Sequence, residues 1–117
     1  MQPHHDNLAQ AKQINLLVTF KVKPEMSHAF KQLLLNDLAH ASQEDGYIAM
    51  NLFAAKDDPN TLFLLESWQN QEAFDHHLSQ PHTEAVLKLA ETALTNPMQL
   101  CFLENLSSLS QPEVSLV

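Results

Sequence analysis

Glycine is nearly absent from this sequence: Gly46 is the single one in 117 residues. Phosphate-cradling loops and the dinucleotide fingerprint need several glycines close together, so both are excluded. Cysteine is as scarce. Cys101 stands alone, so no intrachain disulfide can form. Its place in the apolar run Leu100–Leu103 predicts a buried, inert thiol. Positive charge is sparse too, with six Lys and Arg against fourteen Asp and Glu and a net charge of −8. Those cations are scattered, whereas a nucleic-acid surface needs them clustered. No apolar run reaches the roughly 18–20 residues of a membrane span. Residues 1–13 lack the basic and apolar regions of a secretory leader. The expectation is a cytoplasmic protein with no nucleic-acid or membrane partner.

What is present is enough apolar material, 44% of the chain, for one folded domain with a modest core. Residues 1–12 are polar and unpatterned and read as a flexible arm, in which His4 and His5 are a solvated pair. The domain is expected over 13–106, and residues 107–117 read as a tail.

Within the domain the hydrophobic period changes repeatedly. Ile14, Leu16, Val18, Phe20 and Val22 alternate with more polar residues, which predicts a half-buried strand over 14–22. Pro24 closes that strand and suits the start of a helix. From Glu25 to about Gln43, Met26, Ala29, Phe30, Leu33, Leu34, Leu38 and Ala41 mark one helical stripe in which Asp37 is the single polar member. Gly46 fits the turn that follows. Tyr47–Ala54 reads as a second strand, with Ile48, Met50 and Leu52 on one face and Tyr47, Ala49, Asn51 and Phe53 on the other. A polar turn over 56–60 makes a hairpin with a third strand, Thr61–Gln69, whose one face carries Leu62, Leu64, Glu66 and Trp68. Asn70 is a fitting N-cap for a short helix with Ala73, Phe74, His77 and Leu78 inward. Ser79 reads as the N-cap of a further helix that begins near Pro81 and runs to about Leu94. Met98–Leu103 is a last apolar strand.

The order β-α-β-β-α-β, with its second helix split, predicts a ferredoxin-like α+β fold: four antiparallel strands with the helices on one face. The other face, with Leu17, Phe63 and Leu65, would be bare. Packing two such sheets face to face as a homodimer would cover it.

Glu66-Ser67-Trp68, then Ala73-Phe74, His77 and Ser79-Gln80-Pro81-His82, together with the hairpin from Gly46 to Asp58-Pro59, resemble the pattern of antibiotic biosynthesis monooxygenase (ABM) domains. The resemblance covers about residues 14–105. It implies a dimeric α/β barrel with a pocket between sheet and helices in each protomer. Family members include cofactor-independent oxygenases of quinols and polyketide phenols, haem-degrading enzymes, and an enzyme that processes a phosphorylated quorum-sensing signal. The resemblance implies that Trp68, His77, Glu66 and His82 line the pocket, and that Asn51 stands where many relatives carry a polar strand residue.

Two departures narrow the activity. The haem degraders use an Asn on the first strand and a His on the last helix; here that strand face is apolar and Thr83–Leu94 holds no His. Ala49 replaces an Arg common in relatives, which weakens a case for an anionic substrate.

On residue chemistry, His77 is the candidate general base, oriented by a carboxylate. Deprotonating a phenol yields an anion able to reduce O₂, and proton abstraction beside a carbonyl needs the same base. Oxygenase and isomerase therefore both stay open. Trp68 is either a core plug or a wall on which an aromatic substrate stacks. Asn51, Glu66 and His82 are candidate polar positioners. His77 and His82 lie five apart across a helix break, unlike the four-residue spacing of a zinc helix, and neither metal nor cofactor is expected. A non-catalytic dimeric binding or stress-response module is the remaining alternative.

Overall fold

The computed structural model describes residues 12–107; residues 1–11 of the arm, with His4 and His5, and residues 108–117 of the tail lie outside them. The elements are β1 (Ile14–Lys21), a 3-10 turn (Pro24–Met26), α1 (Ser27–Ala41), β2 (Tyr47–Ala55), β3 (Asp58–Trp68), α2 (Gln71–Leu78), α3 (Pro81–Ala93) and β4 (Gln99–Leu103). The strands form one antiparallel sheet in the order β2-β3-β1-β4. This is the expected ferredoxin-like α+β arrangement.

Strand alternation decides which side chains meet the helices. Across β1 and β3, Leu16 faces Glu66, Val18 faces Leu64 and Phe20 faces Leu62, and all six are buried. The apolar members of these pairs, with Trp68, Met50 and the inward residues Phe30, Leu34, Val86 and Ala90 of α1 and α3, belong to the core. Burying each large side chain contributes roughly 1.5–3 kcal/mol. The opposite face, with Leu17, Thr19, Phe63, Leu65, Asn51 and Phe53, stays partly or largely open.

Several local readings need correction. A bulge between Tyr47 and Ala49 sets Tyr47 opposite Trp68, on the core face, and leaves Ile48 44% exposed. An alternation rule cannot anticipate an inserted residue. β3 begins at Asp58, earlier than Thr61, because the hairpin turn needs only Lys56 and Asp57. The hydroxyl of Thr61 and the amide of Asn60 donate to Asp58 and hold its carboxyl below the usual range. Ser79 is the C-cap of α2, donating its hydroxyl to the His76 carbonyl, and Gln80 precedes α3. Asn70 is the N-cap as expected, accepting from the Ala73 amide at 2.9 Å. Ala29 and Leu78 are exposed, outside the buried stripes of their helices. Cys101 is also exposed, because β4 is an edge strand paired through the open side of β1 at Leu17.

Candidate active site

The site lies where α1 ends, α2 crosses over β3, and α3 begins. Glu66 and Trp68 point inward from β3 because they share the parity of Leu62 and Leu64. Trp68 donates Nε1–H to Glu66 Oε1 at 2.9 Å. His77 projects from the last turn of α2 onto the indole, with ring centroids 4.5 Å apart and planes at 29°. His77 is 2% exposed and Trp68 is completely buried.

The carboxylates beside His77 come from α1 and the turn that follows it, while Glu66 bonds Trp68. His77 Nδ1 lies 3.1 Å from Glu44 Oε1, and its Nε2 lies 3.8 Å from Asp37 Oδ2. His82, from the first turn of α3, sits between the same two acids: Nδ1 is 2.6 Å from Asp37 Oδ1 and Nε2 is 2.8 Å from Glu44 Oε2. Thr83 donates to Asp37 Oδ1 at 2.8 Å. Ionised carboxylates only accept, so two of them cannot both be met by a single N–H of a neutral ring. Each ring nitrogen of His82 thus meets a carboxylate oxygen, and each of these two hydrogen bonds needs a proton.

Glu66 is electrostatically distinct. Burial pushes its carboxyl up to about 7; the negative Asp37 and Glu44 push the same way, and the Trp68 hydrogen bond opposes them.

A cavity of about 60 Å³ lies against this cluster. Its polar lining is Asp37, Glu66, His77 and Thr83; its apolar lining includes Leu16, Leu64, Phe74 and Val86. Leu78, Leu87 and Leu100 also line it and are themselves 38–49% exposed, which marks its outward side. This volume is several-fold below the ~300–1,000 Å³ usual for organic ligands. A larger surface depression of about 430 Å³ at Asp45, Gln69, Asn70 and His76 includes none of the buried cluster.

Of the five expected site residues, the fold brings four together. Glu66 and His77 touch the cavity. Trp68 stands behind them with His77 over one face and Tyr47 against it edge-on, so a face expected to take a substrate ring is occupied by His77. His82 is reached through Asp37 and Glu44 and is absent from the cavity lining. Asn51 is exposed on the opposite sheet face, beside Leu65. Asp37, Glu44 and Thr83 were missed as site residues. For Asp37 there was a signal, since it was the lone acid on an otherwise apolar helical stripe.

The family model for antibiotic biosynthesis monooxygenase matches residues 14–89, which include every member of the cluster. The chain belongs to the antibiotic biosynthesis monooxygenase family. YcnE of Bacillus subtilis (strain 168), whose name provisionally calls it a monooxygenase, is 26% identical over 87 residues, covering 74% of this chain and 92% of YcnE. The solved structure of Rv0793 from Mycobacterium tuberculosis superposes with a TM-score of 0.78 at 24% identity, covering 85% of this chain and all of that one. PA3566 from Pseudomonas aeruginosa gives 0.76 at 20% identity, covering 84% and 98% of the two chains. At these identities the solved structures establish the shared fold. Among the described residues, no helix of this ABM domain is long and apolar enough to cross a membrane.

Proposed function

We propose that this ABM domain is a cofactor-independent monooxygenase of a small phenol or quinol, working as a homodimer. The observation that carries the reading is the buried His77, held by Glu44 and stacked on Trp68, at the polar end of an otherwise apolar cavity. With Nδ1–H donated to Glu44, Nε2 is the atom left to take the phenol proton. The resulting phenolate is electron-rich and passes one electron to O₂. Recombination of the radical pair at a ring carbon gives a hydroperoxide, which loses water to leave a carbonyl. The substrate and O₂ supply every electron, since a phenol plus O₂ equals a quinone plus water. Glu66 in its protonated form would donate a hydrogen bond to the substrate oxygen, as neutral buried carboxylic acids do elsewhere.

The resting cavity suits O₂ better than an aromatic ring. Admission of the ring therefore requires movement of the outward leucines Leu78, Leu87 and Leu100. The dimer reading rests on the open sheet face, where Phe53 is 53% and Leu65 37% exposed. Asn51 lies on that same face, so it fits the dimer contact better than the substrate.

A second reading, a non-catalytic dimeric binding module, is favoured by the small cavity and by the hydrogen bonds that already engage His77. Oxygen uptake separates the two. The oxygenase consumes O₂ with at least one member of a quinol and catechol panel and loses that activity in His77→Ala. Silence across the panel favours the module.

A further inference from the structure

Two features of the cluster are unused by the chemistry above: the second oxygen of Glu44, and His82. Together they extend His77 outward. His77 Nδ1 meets Glu44 Oε1 at 3.1 Å, and Glu44 Oε2 meets His82 Nε2 at 2.8 Å. Exposure rises along this line, from 2% for the His77 side chain to 9% for Glu44 and 12% for His82. The exposed His40 ring stacks on His82 with centroids 5.0 Å apart, at the solvent end. Asp37 holds His82 from its other nitrogen at 2.6 Å and is itself fixed by Thr83. Asp37 lines the cavity too, but its Oδ2 stands 3.8 Å from His77 Nε2, beyond hydrogen-bond reach, whereas Glu44 Oε1 lies within it.

We propose that Glu44 and His82 form the exit path for the proton that His77 takes up, a relay of imidazole, carboxyl and imidazole from cavity to solvent. The proposal deepens the monooxygenase reading and rests on it for the source of the proton. In the tautomer with the Glu44 proton on Oε2, His77 Nε2 gains a proton, His77 Nδ1 gives one to Oε1, and Oε2 gives one to His82 Nε2. His82 Nδ1, moving off Asp37, then releases its own proton to water. One proton enters and one leaves; only N–H and O–H bonds change, and no electron moves. Glu44 and His82 do not touch substrate. Their effect is exerted through His77, and Asp37 keeps His82 in register.

The test follows the ring N–H of His77 in the full ¹⁵N-labelled chain by measuring its exchange with water by NMR. A relay speeds that exchange. Glu44→Gln and His82→Gln should each slow it by on the order of tenfold, as expected for loss of a positioned proton-transfer group. Added imidazole should restore the rate in His82→Ala. A merely structural role predicts the opposite sign, because loosening the cluster opens His77 to water and speeds exchange. Unchanged or faster exchange in His82→Gln and Glu44→Gln overturns the relay. Slower exchange supports it whether or not any phenol is consumed, whereas silence in the oxygen assay speaks against the reaction alone.

Discussion

Trp68 donates its indole N–H to Glu66, two residues back on the same face of β3, at 2.9 Å. This bond is the one influence that lowers a carboxyl otherwise pushed upward by burial and by two neighbouring acids. Trp68→Phe removes it while keeping an aromatic plug. The Glu66 carboxyl should then titrate above its present value near 7, followed by ¹³C NMR. Leaving a buried acceptor unpaired should cost about 1–3 kcal/mol in denaturant unfolding. A Glu66 value that falls, or stays put, contradicts this account.

Glu66→Gln should stabilise the protein at neutral and alkaline pH. The carboxyl rises from 4.5 to about 7 on folding, so between those values the folded state keeps a proton that the unfolded chain has lost. Wild-type stability therefore falls as pH rises through that window and levels off above it, a loss on the order of 3 kcal/mol. Gln has no such loss. The two proteins should match below about pH 4.5 and diverge above it in chemical denaturation. Parallel curves across that range would rule out a raised Glu66.

Gly46→Ala should be costly. Gly46 has φ +84°, and an added Cβ would run into the Cβ of Ala73 on α2. The left-handed backbone costs about 1–2 kcal/mol, and overpacking adds about 1–3 kcal/mol. Combining it with Ala73→Gly should recover the packing part alone, read by urea unfolding of single and double variants. Additive losses would show that the two residues do not meet.

Leu65→Asp places a charge at the centre of the open sheet face, where β3 lies between β2 and β1. If that face joins two protomers, gel filtration with light scattering should show a wild-type dimer and a monomeric variant with the same circular dichroism. A wild-type monomer at tens of micromolar would contradict the dimer.

The fold was legible because its signals are periodic. Alternation placed Leu62, Leu64, Glu66 and Trp68 on one face, and helical spacing aimed His77 at them. Tyr47 was misplaced because a bulge adds a residue without any compositional mark. Within the site, local spacing could not connect Glu44 and Asp37 to residues 33 to 45 positions away. Those contacts depend on how α1 packs over α3, which is a tertiary property. Glu44 read as a turn residue, and Asp37 as an exception in a core stripe. Glu66, the acid on the facing strand, bonds Trp68 instead of His77.

If His77 is the base, oxygenation proceeds without metal or cofactor. The most direct measurement is ¹⁸O incorporation from ¹⁸O₂ into the product of a quinol or catechol, using protein dialysed against chelator, with wild type beside His77→Gln. The account predicts one ¹⁸O atom per product molecule with wild type and a rate at least about 100-fold lower with the variant. Label taken from water, or turnover that survives His77→Gln, would contradict it.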